Sequence, residues 1–285
     1  MKPWLRTLLI VLFAGVFLVS GYFLLDYYME SKAQKDQFDD LAALMEKPIA
    51  PTASSEEIPL FTPTDPVTEE PLPPSPYVQV LDPETGEPRE LLPEFAELYT
   101  RNNDIVGWIS IDNTKINYPV MQTPEHRDYY LNRDFEEKYS RQGCIYVREE
   151  CDVFTPSDNV TIYGHRMGDG SMFNDLHRYD KKSFWEKHRY ITFNTLTDHR
   201  TYEIMFVFRI ESSADEAFQY HLFVDAADRD HFDSFIQNCR AYALYDTGVD
   251  AELGDKLITL STCEYTRVNG RFVVVAKLLR EENEK

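Results

Sequence analysis

The chain has 285 residues, 43% of them hydrophobic and 14% aromatic, enough for the core of one good-sized domain or two small ones. Its formal charge of −20 excludes a nucleic-acid surface, because neutralising phosphates takes clustered Lys and Arg.

Residues 1–6 form a short stub carrying Lys2 and Arg6. Residues 7–25, TLLIVLFAGVFLVSGYFLL, carry no charge and are long enough to cross most of a bilayer's apolar thickness, with Trp4, Tyr27 and Tyr28 at the edges. A cleaved signal peptide would have a shorter apolar run and a small-x-small site, so the segment reads as an uncleaved anchor. The positive charges before it predict a cytoplasmic N-terminus and an external remainder.

Residues 26–90 read as an acidic stalk and linker. Residues 26–95 hold sixteen Asp and Glu against four Lys and Arg, so most of the acidity precedes the predicted domain. Phe38, Leu41, Leu44 and Met45 recur at helical spacing and predict an amphipathic helix, either a stalk or a docking helix. From Pro48 to Pro76 the dense Pro, Glu, Thr and Ser cannot bury a core and predict a tether.

The predicted globular domain covers residues 91–285. It opens with a helix at Leu91 to Asp104, with Phe95, Leu98 and Tyr99 on one face and the Asn pair as a stop. Strands are then predicted at Ile105–Ile111, Lys115–Met121, Gly143–Arg148, Val160–Tyr163, Tyr190–Asn194, Thr201–Ile210, Leu257–Thr262 and Phe272–Leu279. Helical patterns interrupt them at Met172–Tyr179 and Arg229–Tyr242. The class is mainly β with helical additions, a closed barrel or sandwich.

The chemistry concentrates at Leu257 to Val275, LITLSTCEYTRVNGRFVVV, where one predicted strand ends at Cys263 and the next opens at Arg271. A short loop between the two strands puts both residues at one rim. A thiol is a nucleophile only as thiolate, and a nearby guanidinium favours that form and stabilises an oxyanion on the attacked carbonyl. The base is expected close in space but distant in sequence. The run NVTIYGHR, Asn159 to Arg166, offers a strand followed by His165. The competing bland reading makes Cys263 a small core residue and His165 structural.

The other cysteines read as free buried thiols. There is no CxxC zinc spacing, and four cysteines are too few for a disulfide scaffold, although Cys144 and Cys151 offer one bridge in an oxidising compartment. Cys239 falls in the helical pattern as a core residue. A rival nucleophile is Cys144 in SRQGCIYVR, which faintly resembles the Gly-Cys segment of L,D-transpeptidases. Its alternation with Ile145 and Val147 favours a core thiol.

The strand TLSTC, the Arg eight positions on, the upstream YGH and the segment GWISIDNTKINYPVMQ at Gly107 to Gln122 occur together and in this order. Together they resemble a class B sortase over roughly Leu91 to Leu279. The family consists of membrane-tethered cysteine transpeptidases of Gram-positive bacteria. The resemblance implies an eight-stranded barrel with N-terminal helices and a helix in the connection before the Cys strand. It implies that Cys263 attacks a threonine carbonyl near the C-terminus of a secreted protein carrying an NPQTN-like or variant sorting signal. His165 would protonate the leaving amine, and a peptidoglycan precursor amine would resolve the thioester. Arg271 would hold substrate and stabilise the oxyanion, together with the backbone N–H of Glu264; Arg267 is a rival guanidinium in the same loop.

By the same matching Asn117, Met121 and Tyr220 are expected near the substrate groove, and Ser261 and Thr262 are expected to support the site by hydrogen bonds. Glu149 and Glu150 stand where relatives have an Asp-containing loop, which leaves a third-residue role there in doubt. His177, His188, His199 and His221 read as solvated. No metal or organic cofactor is implied. An inert, membrane-tethered binding module on the same barrel is the alternative from a different class.

Overall fold

The computed structural model describes residues 2–46, 75–211, 218–264 and 270–279. It opens on a single helix, α1 (Pro3–Met45), of 43 residues. Its first half is apolar all round, with a mean hydropathy of 2.6 over 18 residues and none of that window buried, which is compatible with a membrane anchor. The second half is amphipathic. Phe38 and Leu41 enter the core, and Leu44 and Met45 pack against it. Of the two options for this stretch, the helix docks.

A hairpin follows, β1 (Val78–Leu81) and β2 (Pro88–Leu91), with Val78 opposite Leu91. It lies within the stretch that composition assigns to a linker. Its strands have four residues each and mostly exposed side chains, so they leave no alternating pattern to read. The Tyr99 hydroxyl donates to Asp82 (2.5 Å) and ties this hairpin to α2 (Ala96–Arg101). The helix predicted here is shorter than expected and is preceded by a 3-10 turn at Pro93–Phe95. Most of the Pro-rich tether and the rival Arg267 lie outside the described residues.

The remaining strands are β3 (Ile105–Ser110), β4 (Asn117–Met121), β5 (Ile145–Val147), β6 (Asn159–Tyr163), β7 (Tyr190–Thr195), β8 (Thr201–Glu211), β9 (Leu257–Glu264) and β10 (Gly270–Leu278). They close into a barrel in the order β10-β8-β7-β3-β4-β5-β6-β9. The β4–β5 and β6–β9 pairs are parallel and the others antiparallel. All eight predicted barrel strands are present, with ends shifted by no more than two residues.

Between β6 and β7 the predicted helix is a 3-10 helix, Phe173–Asp180. Its buried apolar residues Phe173, Leu176 and Tyr179 recur every third position, the period at which 3-10 side chains align. A short helix, α3 (Lys182–Trp185), follows it. Before β9 comes α4 (Arg229–Tyr242), whose first turn is capped by Asp228 accepting from the His231 N–H (2.9 Å). Phe232, Phe235, Ile236 and Cys239 form its buried stripe.

That stripe decides which face of the β9–β10 corner is open. Along β10, Phe272, Val274 and Ala276 belong to the barrel interior. Val273 and Val275 point outward to Phe206 and Phe208 of β8, under α4. Residues in phase with Val273 are therefore on the outer face.

Candidate active site

Pairing sets Arg271 on β10 opposite Cys263 on β9, and Tyr163 on β6 opposite Ser261 on β9. Side chains in register share a face, and those two apart along a strand share it too. Cys263, Ser261, Arg271 and Tyr163 thus lie together on the outer face, in phase with Val273. The Gly164 N–H donates to the Ser261 carbonyl (3.2 Å), which closes the pairing of β6 with β9, so that His165 stands two residues past Tyr163 as Cys263 stands two past Ser261. A side chain at Gly164 would meet Ile145 and the Phe173 ring, so the chain reaches this close approach only with glycine.

The same bond orients the strand. With the Ser261 carbonyl turned toward β6, alternation turns the Cys263 carbonyl the same way and makes Cys263 and Arg271 a non-hydrogen-bonded pair. In such pairs the Cα atoms stand about 4.5 Å apart and the side chains are closest. The Cys263 carbonyl meets the 3-10 helix there, accepting from His177 Nε2 (3.0 Å). His177 is half-buried and its ring lies 4.6 Å from that of Phe272, so it is not the solvated residue expected from its polar surroundings. Alternation also faces the Glu264 N–H toward Gly270 on β10. It reaches an oxyanion only if that last pair opens.

His165 is half-buried and held at two points. Its carbonyl accepts from the Phe173 N–H (2.9 Å), and its Nε2 lies 2.9 Å from the Leu131 carbonyl oxygen. A carbonyl only accepts, so Nε2 carries a proton and Nδ1 is the ring nitrogen left for proton exchange. The Arg271 Nη1 donates to the Gly270 carbonyl (3.1 Å).

Beside Arg271 opens a cleft of about 300 Å3 lined by Arg127, Asp128, Leu131, Tyr146, Arg148, Glu149, Tyr163, Gln219, Tyr220, His221 and Arg271. Tyr220 is buried and its hydroxyl shares a hydrogen bond with Ser261 Oγ (2.7 Å). Burial pushes the Tyr220 hydroxyl up, which keeps it neutral. His221 is pushed down, first by burial and then by Arg148, Arg127 and Arg271. It too departs from the solvated reading. Glu149 pairs with Arg127 (3.4 Å), and Glu150 pairs with the largely buried Arg148 (2.9 Å). A larger hollow of about 510 Å3 lies toward the other end of β10, by Asp255 and Lys277, and holds none of these side chains.

Three expected residues stand elsewhere. Met121 is fully buried in the barrel core and faces no groove. Thr262 alternates with Cys263, is buried, and its Oγ1 has no hydrogen-bond partner among the described residues, so it gives the site no such support. Asn117 is exposed at the start of β4, where it accepts from Trp108 Nε1 (2.6 Å) and lines a separate cavity of about 610 Å3 under α1.

The cysteines remain free, including Cys144 and Cys151. Cys144 is buried, and burial pushes its thiol well above the ordinary range, which leaves it without the thiolate that nucleophilic attack needs. Of the residues that sequence reasoning missed, Tyr163 stands two before His165, so strand alternation was an available signal for it; Tyr146 and Arg148 had no predicted site residue to be in phase with. The Leu131 carbonyl and His177 left none.

The sortase domain family matches residues 109–279. The chain is 32% identical to sortase B of Staphylococcus aureus over 190 residues, 66% of this chain and 75% of that one. It is 29% identical to sortase B of Listeria monocytogenes over 280 residues, 98% of each. A solved Staphylococcus aureus sortase B–substrate complex matches with a TM-score of 0.61 at 32% identity, covering 67% of this chain and 86% of that one. The chain belongs to the sortase family, and within it to class B. The closed eight-stranded barrel with its N-terminal helix is the sortase B fold, and membership supports a cell-wall sorting transpeptidase.

Proposed function

We propose that Cys263, His165 and Arg271 carry out the transpeptidation. The observation behind this reading is the register: Arg271 stands opposite Cys263, and His165 and Cys263 each follow by two residues the paired Tyr163 and Ser261. The Cys263 thiol passes its proton to His165 Nδ1, and the thiolate attacks the carbonyl of a sorting signal near the C-terminus of a secreted protein, forming a C–S bond. The scissile C–N bond then breaks, and the leaving amine takes its proton from His165. An amine of a peptidoglycan precursor next attacks the thioester and gives a proton to His165. The new C–N bond forms as the C–S bond breaks, which restores the thiolate. Arg271 bears the oxyanion charge in both tetrahedral steps, with the Glu264 N–H as a second donor if the end of β9 opens.

The substrate peptide lies in the cleft beside Arg271. A sortase B of Staphylococcus aureus, 32% identical to this chain, has been solved as a substrate complex, which supports substrate binding by this chain. The signal is NPQTN-like, and the polar lining of Arg127, Arg148, Gln219 and His221 suits amide side chains. The apolar half of α1 holds the domain on the outer membrane surface, with the N-terminus inside.

The test is cleavage of NPQTN-like and LPxTG-like fluorogenic peptides by the full chain and by Cys263→Ala and Cys144→Ala. The expected result is cleavage of the NPQTN-like peptide, lost by more than about a thousandfold in Cys263→Ala and kept in Cys144→Ala. Loss in Cys144→Ala alone would move the nucleophile. No cleavage of either peptide by any of the three proteins would leave the inert binding module.

A further inference from the structure

Gln34 is a polar residue on the docking face of α1, and it is buried. Its Nε2 donates to the Gly143 carbonyl (2.7 Å), and its Oε1 accepts from the Ser140 hydroxyl. Both ends of the amide are thus spent on the loop before β5. That loop packs against the turn holding Leu131. Gly143 has φ +59°, and a Cβ there would run into the carbonyl oxygens of Leu131 and Tyr130. The next residue, Cys144, donates its N–H to the Tyr130 carbonyl (3.0 Å). The Leu131 carbonyl is in turn the acceptor for His165 Nε2 (2.9 Å).

We infer that Gln34 is a positioning residue for His165: it fixes the loop at Ser140 and Gly143, the loop fixes the Leu131 carbonyl, and that carbonyl selects the ring tautomer whose Nδ1 exchanges protons at the site. The inference rests on the reading of His165 given above. It makes the helix that carries the apolar segment part of the catalytic geometry rather than a tether alone. Gln34 is not an economical core residue, since an amide at 5% exposure must have both ends hydrogen-bonded to be tolerated there. A Leu or Met would fill the space at lower risk. What the amide adds is a directional grip on one loop.

The test uses the full chain in detergent micelles with Gln34→Met, which keeps the length of the side chain and removes its donor and acceptor, and Ser140→Ala, which removes one partner. The expected result is a kcat lower by about fivefold to tenfold in Gln34→Met, with KM within about twofold, and a smaller fall in Ser140→Ala. Nitrogen-15 spectra of the His165 ring are expected to show the Nε2–H tautomer in the parent and a mixture in Gln34→Met. Unchanged kcat per titrated active site with an unchanged ring spectrum would overturn the inference, even if the melting temperature fell, because packing alone would then explain Gln34. If Gln34→Met does not fold, Ser140→Ala carries the same two readouts. His165→Ala is assayed in parallel. If it turns over at the parental rate, the reading of the site fails; if it is inactive while Gln34→Met is indifferent, only the positioning role fails.

Discussion

Cys144 and Cys263 carry the same thiol into opposite surroundings. Cys144 is sealed in the core, where burial pushes it well up, whereas Cys263 is half-buried at a strand end opposite a guanidinium. The pairing of Cys263 with Arg271 was legible because two strands and a short loop fix it by geometry alone. Thr262 and Met121 misled for the complementary reason. Matching to a family pattern places a residue near a site but not on a face, and both side chains point into the barrel. His221 yields a prediction at this scale. Its folded pKa lies below the ordinary 6.5, so the unfolded chain takes the proton first. The stability it contributes is present above pH 6.5 and is lost as pH falls through the folded value. Melting temperatures measured between pH 7.5 and 5 should fall less in His221→Gln than in the parent; parallel curves would show that His221 contributes nothing to the slope.

The elements were readable where burial imposes a period and opaque where it does not. β8 and β10 are long and buried on both faces, and α4 shows its stripe at Phe232, Phe235, Ile236 and Cys239. The β1–β2 hairpin has short strands on the surface of an acidic, Pro-rich region, and what holds it is the long-range bond from Tyr99 to Asp82. The 3-10 helix at Phe173–Asp180 read as an α-helix because three buried positions over one short run fit both periods. α4 supports the outer face from which Cys263 and Arg271 project. The Phe235 ring stacks on Phe223 at 4.1 Å, in the cluster that also holds Tyr220. Phe235→Ala should therefore cost about 3–5 kcal/mol in a urea titration. A loss under about 1 kcal/mol would mean that α4 is only loosely seated on the barrel.

At the scale of the whole molecule, one helix joins two environments: its apolar half suits a bilayer and its amphipathic half packs on the barrel through Phe38 and Leu41. The spacing of Phe38, Leu41, Leu44 and Met45 predicted a helix here and left open whether it stands as a stalk or docks. What it could not anticipate is that Gln34 reaches the loop before β5, more than a hundred residues away in the chain. The proposed transpeptidation passes through a covalent bond at one atom, the Cys263 sulfur. The most direct measurement is intact-protein mass spectrometry of the full chain mixed with an NPQTN-like peptide and no amine acceptor, followed by proteolytic mapping. The expected result is one added acyl group per chain, on Cys263, released by a small amine nucleophile. An adduct on Cys144, or peptide cleavage with no adduct on any cysteine under rapid acid quench, would contradict it.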